Sequence, residues 1–389
     1  MAIVCALMLE NLQPAKKIIT PKEAKPFVEF NGTEGEATTP GYVGDVADFD
    51  DFLIDAGFDP STIEVIPPMR TSRWQRWDGE WLTSYRFRFR SKSSAIDLPL
   101  LMAEAKRKVV RKTIAAPQPK CLVILWSDLQ VGKVDYRGNS QSLILRVELM
   151  QSRLIDLVKR EKPESILFVD TGDVIENFQN VAAQSQLQSN DLSIMEQVDL
   201  ATTFAWQTLK MLVSYVPDVT YASVGSNHCQ WRIGHQAVGR ASDDWGIFIG
   251  RQLARLASEQ DLPIRFVEPQ PHDESLAIDV FDDSFHILGV VHGHQAKRPE
   301  QVGDWWRKQA FGQQPVADCS LLVHGHFHHL RVTEMGSTPR GTSRFLVSAS
   351  TLDNGSGWYM KNSGEDSVPG LTTFMLEKGV DFTGTVWKL

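Results

Sequence analysis

Ser320-Leu321-Leu322-Val323-His324-Gly325-His326-Phe327-His328 is a short apolar run that breaks into imidazoles spaced by a glycine and a phenylalanine. The run reads as a buried strand and the polar tail as the loop leaving it. The same arrangement recurs upstream. Asp128-Leu129-Gln130 follows the run Cys121–Ser127, Gly172-Asp173 follows Ser165–Val169, and Gly225-Ser226-Asn227-His228 follows Val219–Val224. A further pair, His292-Gly293-His294, follows Phe285–Val291. A lone histidine is ordinarily structural or solvated. Here four of the ten histidines lie between His324 and His329, and carboxylates and an amide recur at other strand ends. A metal centre explains that set most simply.

Between these runs the spacing predicts helices over Ser140–Glu161, Ser193–Tyr215 and Ser242–Glu259, so strands and helices alternate from Lys120. The rhythm then turns β-rich, with strands at Ile264–Val267 and Leu276–Val280, a helix at Arg298–Phe311, and tail strands at Leu330–Glu334, Arg344–Ser348, Leu371–Leu376 and Gly384–Trp387. The fold class expected is α/β, two packed β-sheets flanked by helices in four layers, with ligands gathered at the carboxyl ends of strands.

Upstream, residues 1 to 45 lack periodicity and read as a flexible leader, and residues 46–116 as a small basic and aromatic α+β domain. Within it, a helix is expected at Val46–Gly57 and another at Leu98–Thr113. Asp78-Gly79 between two aromatic runs signals a hairpin. In its second arm Tyr85, Phe87 and Phe89 alternate with Arg86, Arg88 and Arg90, giving one aromatic and one cationic face. Residues 120–389 form the main domain.

The net charge of −8 hides an asymmetry, because residues 61–120 hold thirteen Lys/Arg against five Asp/Glu. That local excess of +8 leaves −16 for the remainder, and a basic patch of this kind suits a polyanion. No apolar run approaches a membrane span, no basic segment precedes the apolar Ala2–Leu9, and the four cysteines are scattered. A reducing, cytoplasmic setting with no membrane partner is expected.

The order of these motifs resembles the calcineurin-like metallophosphoesterase superfamily over Lys120 to about Ser350, with Gly325-His326-Phe327-His328 and Gly172-Asp173-Val174-Ile175-Glu176 matching it without substitution. Within it, the chain looks most like phage-borne phosphoesterases related to double-strand-break repair nucleases, which would place it in the host cytoplasm. The resemblance implies two divalent ions, manganese first, with magnesium, zinc or iron as alternatives. One would be held by Asp128, Gln130, Asp173 and His328, the other by Asp173, Asn227, His292 and His326. His292 is preferred to His294 because it directly follows its strand. His228 would be the catalytic imidazole, and a hydroxide held between the ions would attack phosphorus in line.

Three positions depart from the pattern: Gln130 stands for a histidine, Ser226 for a glycine and Cys229 for an acid. Of these, Gln130 weighs most, since an amide oxygen binds metal more weakly than imidazole and favours manganese or magnesium. The expected function is DNA phosphodiester hydrolysis, with Arg86, Arg88, Arg90 and Arg232 as phosphate contacts. A homo-oligomer or an ATPase partner is a further expectation. Two rivals are a phosphatase or phosphodiesterase for small molecules or phosphoproteins, and a non-catalytic binding module with a weakened metal site.

Overall fold

A computed structural model describes residues 26–31, 34–44, 49–92, 119–178, 189–233, 236–364 and 366–389. The chain divides into two compact units, Met1–Ala95 and Ile96–Leu389.

The first unit is an antiparallel sheet of β1 (Phe27–Phe30), β2 (Glu34–Thr38), β3 (Tyr42–Val43), β4 (Ile63–Gln75) and β5 (Trp81–Ser91), with a short helix α1 (Asp50–Asp55). β4 and β5 form the hairpin expected around Asp78-Gly79, with Gln75 opposite Trp81. On β5, Tyr85, Phe87 and Phe89 are buried with Ala37 and Ile63, while the intervening arginines face solvent. The leader reading is corrected for residues 27–43. These supply three strands, and β2 pairs along β5 from Glu34 opposite Arg90 to Thr38 opposite Arg86. β2, Glu-Gly-Glu-Ala-Thr, offers little hydrophobic alternation, and its Glu34 and Glu36 pair across to Arg88 and Arg86 of β5. The expected helix at Leu98–Thr113 lies outside the described residues, and so does the boundary at 116–120 apart from Pro119 and Lys120.

The second unit contains β6 (Lys120–Ser127), α2 (Ser140–Glu161), β7 (Ser165–Gly172), α3 (Ile194–Val213), β8 (Asp218–Ser223), β9 (Arg232–Ile233), β10 (Gln236–Ala237), α4 (Trp245–Glu259) and β11 (Ile264–Val267). It continues through β12 (Ser275–Asp279), β13 (Ile287–Val291), α5 (Val302–Phe311), β14 (Leu321–His324), β15 (Arg331–Ser337), β16 (Ser343–Ser348), α6 (Gly357–Ser363), β17 (Thr372–Glu377) and β18 (Trp387–Lys388). One sheet runs β11-β8-β7-β6-β17-β18 and the other β12-β13-β14-β16-β15. Strands β11, β8, β7 and β6 are parallel, as are β13, β14 and β16.

The period-2 alternation of each strand explains the layering. On β6, Leu122, Ile124 and Trp126 turn toward α2 and α3, while Cys121, Val123 and Leu125 meet Leu288, Val290, Leu321 and Val323 of the second sheet. Trp306 and Val302 of α5 cover that sheet's far face. The result is the expected four-layer sandwich of two sheets between helices. Helix starts follow from side-chain caps: Asn139 for α2, Ser193 with Glu196 as a capping box for α3, and Asp244 for α4. The tail departs from simple order. β17 crosses back to pair antiparallel with β6, placing Phe374 and Leu376 in the core between the sheets.

Candidate metal centre

The carboxyl ends of β6, β7, β13 and β14 and the loop after β8 bring together most of the polar clusters quoted above. Asp128, Gln130, Asp173, His326 and His328 all have positive φ, between 44° and 69°. Such backbone is strained for residues other than glycine and persists only where the surroundings over-determine it. Two glycines are required by space. A Cβ at Gly325 would come within 2.4 Å of Asp128 Oδ2, and one at Gly172, itself at φ +104°, within 2.8 Å of His292 Nδ1.

Asp173 sits at the middle. Its amide donates to Ser226 Oγ at 2.8 Å, and its Oδ1 accepts the His228 amide at 2.9 Å. Ser226, one of the three departures, therefore fixes the backbone of the central aspartate. Asp173 Oδ2 lies 3.1 Å from His292 Nε2, and Asn227 Oδ1 lies 2.9 Å from the same nitrogen. His292 Nδ1 donates to the Thr171 carbonyl at 2.8 Å, which sets the tautomer and turns the Nε2 lone pair toward those two oxygens. Three acceptors thus converge in a fully buried place, an arrangement that repels itself unless a cation or proton lies among them. His326 completes the group: the ligand atoms of Asp173, His292 and His326 lie within 4.8 Å of one another.

The titration behaviour follows from that crowding. Burial works against a charge on His292, yet Asp173 and Asp128 outweigh it and raise the imidazole to about 9. Burial, reinforced by His292, pushes His326 down to about 3, so it is a neutral donor. Asp173 is held well below the usual carboxylate range despite its burial, by His292 and His228. His292, not His294, belongs to the convergent group. The His294 ring lies tilted against His292 at 5.5 Å between ring centroids and turns its Nε2 toward Glu274, 3.8 Å away. Burial pushes it down to about 3.

Asp128, also buried, accepts the His326 amide at 3.0 Å on Oδ1 and the Ser127 hydroxyl on Oδ2. His328 places Nε2 3.4 Å from Asp128 Oδ1 and Nδ1 3.3 Å from Asp353 Oδ2. Against its burial, those two carboxylates raise His328 to about 10. Gln130, expected as a ligand, is engaged otherwise. Its Oε1 accepts from Lys133 Nζ at 2.6 Å and its Nε2 lies 3.1 Å from His228 Nε2. Asp173, His292 and His326 thus converge as a group able to hold a metal ion, with Asn227 Oδ1 beside them, while Gln130 Oε1 is hydrogen-bonded to Lys133.

His228 lies between Gln130 and Glu176. Its Nδ1 donates to the Glu176 carbonyl at 3.0 Å and lies 3.4 Å from that residue's Oε2. Burial opposes its charge, but Asp173 and Glu176 raise its pKa. Glu176 is itself buried beside His228. Arg232 is half-buried beside the group, donating to the Asn227 carbonyl at 3.3 Å and to Gln230 Oε1 at 3.0 Å. Burial lowers its pKa, while Asp173 opposes that fall. Cys229, the third departure, is a buried thiol pushed well above its usual range by burial and Asp244.

Sequence reasoning missed Lys133 and Asp353. A signal existed for the second: Asp353-Asn354-Gly355 follows the strand ending at Ser348 just as the other clusters follow theirs.

In the first unit the three strand arginines are not bare cations. Arg86 pairs with Glu36 at 2.6 Å, Arg88 with Glu34 at 2.9 Å and Arg90 with Glu64 at 2.8 Å. The cationic face of β5 therefore carries three ion pairs whose arginines remain about half exposed.

No protein-family description matches the chain, and no curated protein matches it. A solved phosphatase structure from Mycoplasma pneumoniae shares 12% identity over 70% of this chain and 92% of that one, with a TM-score of 0.28. The functional reading therefore rests on the site's own chemistry. Among the described residues, no helix is long and apolar enough to cross a membrane.

Proposed function

We propose that the chain is a metal-dependent phosphoester hydrolase. One observation carries the reading: Asp173 Oδ2 and Asn227 Oδ1 lie 3.1 and 2.9 Å from His292 Nε2, with His326 beside them. Mixed imidazole and oxygen donors suit a divalent cation, with manganese our first choice and zinc, iron or the more oxygen-seeking magnesium as alternatives. When bound by Asp173, Asn227, His292 and His326, such an ion supplies activation of water and offsets charge on phosphoryl oxygens.

The chain's own groups complete the chemistry. His228 gives a proton to the leaving oxygen; Asp173 and Glu176 hold its pKa up for that role. General-acid help of this kind is worth roughly 10²–10⁴-fold. Arg232 orients the phosphate from the rim. His292 and Asp173 are held by Thr171 and Ser226, so the donors need no rearrangement before the reaction.

As substrate we place a nucleic-acid phosphodiester first, supported by the basic excess of residues 61–120 and by Arg232. Arg86, Arg88 and Arg90 would each have to leave a glutamate to reach phosphate, which weighs against the strand and leaves Arg232 as the principal contact. The test uses single-stranded DNA, duplex DNA and bis-p-nitrophenyl phosphate with manganese present. Cleavage of all three, silent in Asp173→Asn and His228→Ala, is expected. Cleavage of the small ester alone would move the substrate to small molecules. No hydrolysis with any divalent cation would overturn the enzyme reading in favour of a binding module.

A further inference from the structure

Lys133 is the least expected neighbour of the centre. Its ammonium is almost wholly buried, and it has two short contacts, both into the site: Gln130 Oε1 at 2.6 Å and Asp353 Oδ2 at 2.6 Å. A buried ammonium without partners would be driven to neutrality. Here Asp353, followed by Glu176, outweighs burial and keeps its pKa raised.

The lysine is also fixed at its backbone. Its amide donates to the Gln130 carbonyl at 3.0 Å, and its own carbonyl accepts from Asn354 Nδ2 at 2.7 Å. Asp353 is equally held: its amide donates to Thr351 Oγ1 at 2.9 Å, and its Oδ1 accepts the Gly355 amide at 3.0 Å. Thr351 Oγ1 in turn donates to the Asp128 carbonyl at 2.6 Å, and Arg146 binds the Leu352 and Asp353 carbonyls. The ammonium therefore sits in a prepared position.

That position dictates the orientation of Gln130. Turned over, the amide would bring its NH₂ against the ammonium, donor against donor, so Oε1 must face Lys133 and Nε2 must face His228. The oxygen that would bind a second divalent ion is already bound to a cation. Two ions of like sign on one amide oxygen repel strongly in a buried place. Asp353, which touches Lys133, also faces His328 Nδ1, so the lysine is wired to both Gln130 and His328 of the expected second set.

We propose that Lys133 is a built-in cation that replaces one of the two divalent ions, so that this chain binds a single divalent ion, at Asp173, Asn227, His292 and His326. The inference rests on the metal-dependent reading above and deepens it. Lys133 is a positioning residue in this account. It holds Gln130 with its oxygen on the ammonium and its Nε2 3.1 Å from His228 Nε2.

The experiment is manganese binding by the full-length chain, followed by metal analysis after equilibrium dialysis and by electron paramagnetic resonance. Wild type is expected to hold one ion per chain with an uncoupled manganese signal, even with the metal in large excess. Lys133→Met, and Lys133→Met combined with Gln130→His, are expected to hold two ions with an exchange-coupled signal. Gln130→His alone, with the lysine in place, is expected to stay at one. Two tight, coupled ions in wild type would overturn the inference and leave the hydrolase reading intact. One ion in a folded Lys133→Met, Gln130→His protein would also overturn it. No ion in wild type would overturn both.

Discussion

At Gln130 a neutral amide, expected to reach a metal, accepts instead from an ammonium 2.6 Å away. A residue's chemistry is set by its neighbours: Lys133 holds Gln130, and Lys133 is itself paired with Asp353, 220 positions along the chain. That separation is why the site was only partly legible in sequence. Asp128, Asp173, Asn227, His292 and His326 could be read from strand-end position, since convergence there is a property of the fold. Which contact Gln130 would make could not be read, because it depends on a loop far downstream. Two predictions belong here. Asp173→Asn should abolish manganese binding at the His292 group and reduce hydrolysis of bis-p-nitrophenyl phosphate to background while the protein stays folded, as checked by dialysis and circular dichroism. Gly325→Ala should drive a methyl into Asp128 Oδ2, which would lie only 2.4 Å from the new carbon. Overpacking of that kind costs about 1–3 kcal/mol. Urea titration should show it, together with weaker metal binding.

Elements were more legible than contacts. α2 occupies the expected Ser140–Glu161, because its apolar spacing and the Asn139 cap agree on where it begins. Strands β6, β7 and β8 read as continuous apolar runs because both faces are buried, one under α2 and α3 and one against the second sheet. β2 was illegible, since its glutamates pair with Arg88 and Arg86 of β5, a pattern that sequence periodicity does not record. The capping box of α3 gives a clean test: Ser193→Ala should remove about 1 kcal/mol of stability, read from urea denaturation. A pH prediction sits at the start of β13. His286 donates to the Val380 carbonyl at 2.8 Å among Phe281 and Phe285, and burial holds its pKa below 6.5. The unfolded chain takes up that proton as pH falls through about 6.5 while the folded one resists, so this contribution is present above that pH and lost below it. The drop in Tm from neutral to mildly acidic pH should be smaller in His286→Gln, which keeps a donor but cannot titrate. An equal drop would show that the imidazole stays accessible to protons.

For the whole molecule, charge and architecture carry separate messages. The α/β sandwich concentrates its polar donors at one rim, as layered parallel sheets do. The basic excess of residues 61–120 is a statement about partners rather than fold. Each bare phosphate contact adds about 0.9 to the slope of log affinity against log salt. With their glutamates in place, Arg86, Arg88 and Arg90 should contribute well under that each, so replacing all three by alanine should leave the salt slope for duplex DNA nearly unchanged. A slope flattened by about 2.7 would restore the strand as a phosphate-binding ledge. The account as a whole stands on a divalent ion among Asp173, Asn227, His292 and His326. Anomalous diffraction at the manganese edge, from crystals grown with excess manganese, tests it most directly. The expected result is a strong peak bonded to those four side chains, with His292 Nδ1 still on the Thr171 carbonyl. Density without a peak there, with the two imidazoles turned apart, would contradict it.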